Sequence, residues 1–251
     1  MTFATIEQTE KHSQTSDRYS FIPTSRVLSV LESEGFTPTR IMEAGTRKPE
    51  NRGFQKHIVR LRQTGLSVSV GGDEFPEIVL INSHLGSSAF ELRLGVFRLV
   101  CSNGLVTGDT FASYKIRHVG YTDEAVRQSL ESIINITPTV MSKVSDFKQI
   151  ELNRDESMAY AESVAELLNE SSESAVLNPA TLIRAWRQAD KAPTLWNTYN
   201  VAQEKVMKGD YQVVTASAQR RKAKVVKSVD RNIALNKALW SLTEKMAELK
   251  S

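Results

Sequence analysis

The chain has 251 residues, 40% of them hydrophobic, with 32 basic against 29 acidic side chains for a formal charge of +3. That is enough apolar material for a real core, and a single Cys excludes both a disulfide framework and a Cys-rich zinc module. No apolar run approaches the ~20 residues of a membrane helix, and the polar stretch before Tyr19 lacks the apolar centre of a secretion signal. A soluble protein of the cytoplasm with no membrane partner is expected.

Residues 1–18 read as a disordered or loosely docked tail. Residues 25–34 read as a short helix, with Val27, Leu28 and Leu31 on one face and Gly35 as its stop. The pattern then changes to short apolar or alternating segments at 39–44, 55–63, 66–70, 77–82, 88–94, 96–101 and 111–118. Gly, Asn, Asp or Pro separates them, which is the mark of consecutive antiparallel strands. Asn103-Gly104 and Gly71-Gly72-Asp73 suit turns, and Gly95 suggests a bulge splitting one apolar stretch.

After Tyr121 the period becomes helical. Asp123 can cap a helix with Val126, Leu130, Ile133 and Ile134 inward, and Thr137-Pro138 can open the next. Further helices are expected at 154–169, from Asn178-Pro179 with Leu182, Ile183 and Trp186 on one face, at 193–208 ending on Gly209, and at 230–249. The expected fold class is α+β: an antiparallel, meander-like sheet with one early helix over 19–122, then a helical region over 123–251. A basic loop at 211–229 interrupts the helical region, and the whole is expected to form one integrated domain.

Charge is unevenly spread. Residues 1–120 carry 14 basic and 12 acidic groups, 121–200 carry 7 and 12, and 201–251 carry 11 and 5. The loop 211–229 holds Arg220, Arg221, Lys222, Lys224 and Lys227 and no acid. Such a run repels itself unless an anion is near, so it reads as an exposed phosphate-binding loop or a solvated linker. Strand alternation adds a second basic surface. If the strands are neighbours, and a bulge at Gly95 resets the phase, one face collects Lys56, Arg60, Arg62, Arg93, Arg98, Lys115 and Arg117, with Glu91 the local offset. A cationic face of this kind can track a phosphate backbone, with Phe111 placed to stack on a base.

Signs of catalysis are scarce. His12, His57, His84 and His118 are scattered, and no phosphate-binding, dinucleotide or nucleophile-elbow motif is present. Cys101 near His84 or His118 could act as a nucleophile, but it reads better as a small buried hydrophobe. Asp73, Glu74 and Glu77 flank Pro76 and read as a solvated acidic turn. Trp186, Trp196, Tyr199 and Trp240 read as core or interface residues. No metal and no cofactor is expected, and the chain is not expected to be an enzyme.

Several longer segments carry a family signature: Arg18-Tyr19-Ser20-Phe21-Ile22-Pro23-Thr24, Glu34-Gly35-Phe36, His57 to Arg62, Pro76 to His84, Phe97 to Val106 and Asn232 to Trp240. Together they resemble the YafZ/YfjQ prophage protein family, domain of unknown function 932, over most of the chain. The resemblance implies a protein of phages, plasmids and integrated elements, and it transfers no catalytic residue. Element order and charge placement are also similar to those of phage single-strand annealing proteins, by analogy. The first expectation is therefore a mobile-element protein that forms homo-oligomers and binds single-stranded DNA for annealing or recombination. The alternative is a protein that binds a host protein, such as a defence enzyme, using the acidic 121–200 segment.

Overall fold

The computed structural model describes residues 3–64, 74–86, 88–98, 104–106, 113–116, 121–170 and 173–250. Contacts gather into two compact units, Met1–Pro138 and Thr139–Ser251.

In the first unit, helices α1 (Ala4–Glu7) and α2 (Thr24–Ser33) precede a six-stranded antiparallel sheet. Strands β1 (Phe36–Glu43), β2 (His57–Gln63), β3 (Glu74–Asn82), β4 (Phe90–Arg98) and β5 (Gly104–Val106) pair in chain order, and β6 (Ser113–Ile116) pairs with β4. The expected strand at 66–70 lies outside the described residues. The two segments expected around Gly95 form one strand, because β3 reaches back to Glu74 and pairs Gly95 with Glu77 in unbroken register. The register shift falls instead in β1, between Pro38 and Arg40, where an edge strand tolerates a residue with no amide donor.

Alternation sends His57, Val59, Leu61, Ile78, Leu80, Asn82, Phe90, Leu92, Leu94 and Val96 to one face, all of them buried. Full burial of each leucine there contributes about 1.5–3 kcal/mol. Helix α2 begins over this face. The Thr24 hydroxyl lies 2.8 Å from His57 Nε2, and Asn82 Nδ2 donates to the Ile22 carbonyl at 3.2 Å. The opposite face is buried as well, at Ile58, Val79, Ile81 and Phe97. Residues 3–18 are docked on this unit. The Thr5 amide and hydroxyl donate to Glu43 at 3.0 and 2.6 Å, His12 packs edge-on to Phe54, and the Tyr19 hydroxyl donates to the Ser83 carbonyl.

Helix α3 (Asp123–Gln149) is continuous through Pro138, where two helices were expected. Proline removes one amide bond, that to the Ile134 carbonyl. Ile134, expected to point inward, is 42% exposed, so water can serve that position. The cap is Thr122, whose hydroxyl accepts from the Ala125 amide at 3.1 Å. Asp123 instead takes a two-pronged bond from Arg26 of α2, both arms at 3.0 Å.

The second unit contains α4 (Arg154–Glu170), β7 (Ser174–Val176), α5 (Leu195–Lys208), β8 (Gln212–Thr215), β9 (Arg220–Lys222) and α6 (Val229–Leu249). Asn153 and Glu156 close a reciprocal capping box at the start of α4, with three bonds of 2.8–2.9 Å. Trp240 is fully buried against Phe147 and Tyr199, and Trp196 stacks on Tyr199. The helix expected after Asn178-Pro179 shrinks to a 3-10 turn, Pro179–Ile183, with the Asn178 side chain accepting from Ala180. Strands β7, β8 and β9 form a small antiparallel sheet that the sequence reading did not anticipate.

Candidate nucleic-acid interface

The structure brings Arg60, Arg62 and Arg93 to one sheet face and ties each to a carboxylate. Glu77, fully buried, accepts from Arg60 Nε at 2.6 Å and from Arg62 Nη2 at 2.7 Å, and Thr39 donates to it as well. The Arg60 guanidinium sits 3.3 Å from the Phe97 ring centroid and that of Arg62 4.1 Å from Phe75. Arg93 is buried against Glu91. Arg98 falls on the opposite face, beside Glu74 at 3.7 Å, because no bulge at Gly95 resets the phase. Lys56 precedes β2 and is half-buried, Lys115 is exposed opposite Glu91, and Arg117 and Phe111 lie outside the described residues. The acidic turn expected at Glu74 and Glu77 is thus strand β3. Its two carboxylates point to opposite faces and serve as counter-ions.

The basic segment of the second unit is arranged differently. Gln212-Val213-Val214-Thr215, one residue beyond Gly209-Asp210, is strand-forming, and it pairs with Arg220–Lys222 as a hairpin. Arg220, Arg221, Lys222, Lys224 and Lys227 are all exposed. Arg221 donates to Ser174 at 3.0 Å and Lys222 bridges to Asp210 at 2.9 Å. Among the described residues Arg220, Lys224 and Lys227 have no ion-pair partner. Residues 223–227 form a strap rather than a free linker. The Ala223 amide donates to Tyr211 O at 2.9 Å, and the Val226 amide donates to Met207 O at 3.0 Å, serving a carbonyl in the last turn of α5. The strap crosses at Gly209, whose left-handed φ of 63° ends α5 while Asp210 N donates back to Lys205 O. A Cβ there would sit 2.6 Å from Ala223 O.

Beside this hairpin lies a hollow of about 810 Å³ lined by Arg184, Lys191, Lys205, Lys222, Tyr211 and Trp186, among others. Trp186, expected as a core or interface residue, is 73% exposed and so lies outside the core. Its neighbour Arg187 is anchored by Glu204 at 2.6 and 2.8 Å and by Asp190 at 3.1 Å. The Arg187 guanidinium, together with Lys208, holds the Glu204 carboxyl down to about 2. The signal that could have found this site is composition. Apolar spacing stops at Trp186, and cations flank it at Arg184, Arg187 and Lys191.

The histidine reading resolves differently. His57 and His84 are fully buried, their rings 5.1 Å apart. His57 Nδ1 donates to Gln55 O, so its Nε2 accepts from Thr24, and burial lowers its pKa. His84 Nε2 donates to Thr5 O at 2.8 Å. Thr24, His57, Asn82 and His84, drawn from three of the signature segments, therefore form a buried hydrogen-bonded network. Cys101 and His118 lie outside the described residues. Among the described residues no group of His, Cys, Asp or Glu is placed to hold a metal ion, and no helix is long and apolar enough to cross a membrane.

Comparison with known proteins agrees with the signature segments. The family described as domain of unknown function (DUF932) matches residues 11–240. The UPF0380 proteins YfjQ and YafZ of Escherichia coli (strain K12) are each 33% identical over 240 residues, covering 94% of this chain and 85% of theirs. No solved structure matches significantly.

Proposed function

The chain belongs to the DUF932 family, and we propose that it binds nucleic acid, preferentially single-stranded DNA, through the basic hairpin and strap of its second unit. One observation carries this reading. Arg220, Lys224 and Lys227 are exposed and without ion-pair partners among the described residues, whereas Arg60, Arg62 and Arg93 are each held by a buried carboxylate. Exposed, self-repelling cations on a backbone-anchored segment gain most from a polyanion that replaces its counter-ions. Assembly into homo-oligomers and a part in annealing or recombination on a mobile element belong to the same proposal.

The test is fluorescence anisotropy of labelled single-stranded and duplex DNA across a salt titration, with particle mass measured alongside. Each phosphate contact to a single strand adds about 0.7 to the log–log salt slope. Converting Arg220, Lys224 and Lys227 to Glu should therefore flatten the slope by about 2. Unchanged affinity and slope in that variant overturn the reading.

A second reading is supported by α4, where Glu162, Glu166 and Glu170 lie exposed at helical spacing without ion-pair partners among the described residues. Such a stripe suits a basic host protein. Absence of any oligonucleotide binding at low salt, with a host protein retained after nuclease treatment, would move the assignment there.

A further inference from the structure

We propose that Trp186 is a stacking platform for an unstacked nucleobase, with the flanking phosphates of the strand led through the adjoining groove over Arg184, Lys191 and Lys222. The inference rests on the nucleic-acid reading above and adds what that reading lacks: a reason to prefer single strands.

Trp186 is set apart from the other tryptophans. Trp196 and Trp240 are 2% and 0% exposed, whereas Trp186 leaves 73% of its surface in water. It is nonetheless held in place. It stands between two 3-10 turns, Pro179–Ile183 and Gln188–Asp190, and the next residue, Arg187, is locked to Glu204 and Asp190. Lys205 lies against the indole with Nζ 4.9 Å from the ring centroid, and its own chain is only 5% exposed. Burial lowers the Lys205 pKa while Asp210, 3.7 Å away, favours its charged form. A cation fixed against a rigid, solvent-facing aromatic ring leaves the rest of that ring for a flat partner.

Charge decides which side of Trp186 the strand takes. The indole borders two hollows. In the smaller, of about 340 Å³, Arg187, Lys205 and Lys208 face Asp190, Glu204 and Asp210, so the charges balance. In the larger, of about 810 Å³, Arg184, Lys191, Lys205 and Lys222 face Asp210 alone. Arg184 and Lys191 are exposed and have no ion-pair partner among the described residues. Tyr211 and the 38%-exposed Leu177 line the same side. Unbalanced cations beside exposed aromatic surface suit a ligand that alternates phosphate with π-face. A duplex offers the first without the second, and an acidic peptide offers charge without flat rings.

The experiment compares the full chain with Trp186→Ala and Trp186→Phe in binding to a short oligothymidylate, a short oligouridylate, an abasic oligonucleotide of equal length and polyglutamate. Tryptophan emission is recorded throughout. Trp186 is exposed, so unchanged melting temperatures are expected and confirm folding. The expected result is quenching of emission by the base-bearing oligonucleotides and not by the abasic strand. Trp186→Ala should bind oligothymidylate about tenfold more weakly with abasic binding unchanged, and Trp186→Phe should keep most of the affinity. Equal binding of oligothymidylate by the native chain and Trp186→Ala overturns the subsite while leaving the nucleic-acid reading intact. Equal quenching by polyglutamate or the abasic strand does the same. If no oligonucleotide binds even at low salt, the nucleic-acid reading fails and the subsite falls with it.

Discussion

Glu77 decides what one face of the large sheet can do. Its carboxylate is fully buried and gathers Arg60 and Arg62, whose guanidiniums then lie against Phe97 and Phe75. A buried pair of this kind adds little net stability, but losing one partner leaves the other charge uncompensated. Glu77→Ala should therefore lower unfolding free energy by about 3–5 kcal/mol, read from the denaturant midpoint. A loss below about 1 kcal/mol, the scale of an exposed pair, would show that water reaches the site and that the arginines are available to ligands after all.

At the scale of elements, the hairpin β8–β9 and the end of α5 form one construction joined at Gly209. Its φ of 63° suits glycine, and a left-handed conformation costs other residues about 1–2 kcal/mol. The added Cβ of an alanine would also meet Ala223 O and the Lys224 carbonyl carbon at 2.6 Å, both of them backbone. Gly209→Ala is expected to cost at least about 2 kcal/mol and to weaken oligonucleotide binding, because relief of the clash shifts the segment that carries Lys224 and Lys227. Normal binding with a normal melting temperature would mean that the strap moves freely over α5. The small sheet was partly legible: Tyr211 to Thr215 is a strand-forming run. Five cations with no acid between them drew the reading towards a loop, since composition reports exposure and not pairing.

For the whole molecule, antiparallel strands followed by helices were readable because alternation and helical period report burial directly. The counter-ions were not. Glu74 and Glu77 flank Pro76, which imitates a turn, and their partners come from strands whose register is invisible in one dimension. The phase of β4 at Gly95 was likewise undetermined until β3 was seen to run back to Glu74. Trp186 leaves the core because the expected helix gives way to a 3-10 turn that ends at Ile183. The two sets of cations should now separate by experiment. Arg60→Gln with Arg62→Gln is expected to lower stability and leave the salt slope of DNA binding unchanged. Lys224→Gln with Lys227→Gln should do the reverse, and a salt slope altered by the arginine pair would return the sheet to the binding surface.

The strap from Ala223 to Lys227 is fastened by its main chain, through the amides of Ala223 and Val226, while its lysine side chains stand clear of ion pairs among the described residues. Its composition is therefore free to drift, and its length is not. Lysine, arginine or a polar residue can exchange at Lys224 and Lys227 without loosening the fold. Removing or inserting a single residue between Ala223 and Val226 would put the two amides out of step with their carbonyls and disturb the crossing at Gly209. Variation in this segment is therefore expected to change the identity of its charges and to keep their spacing.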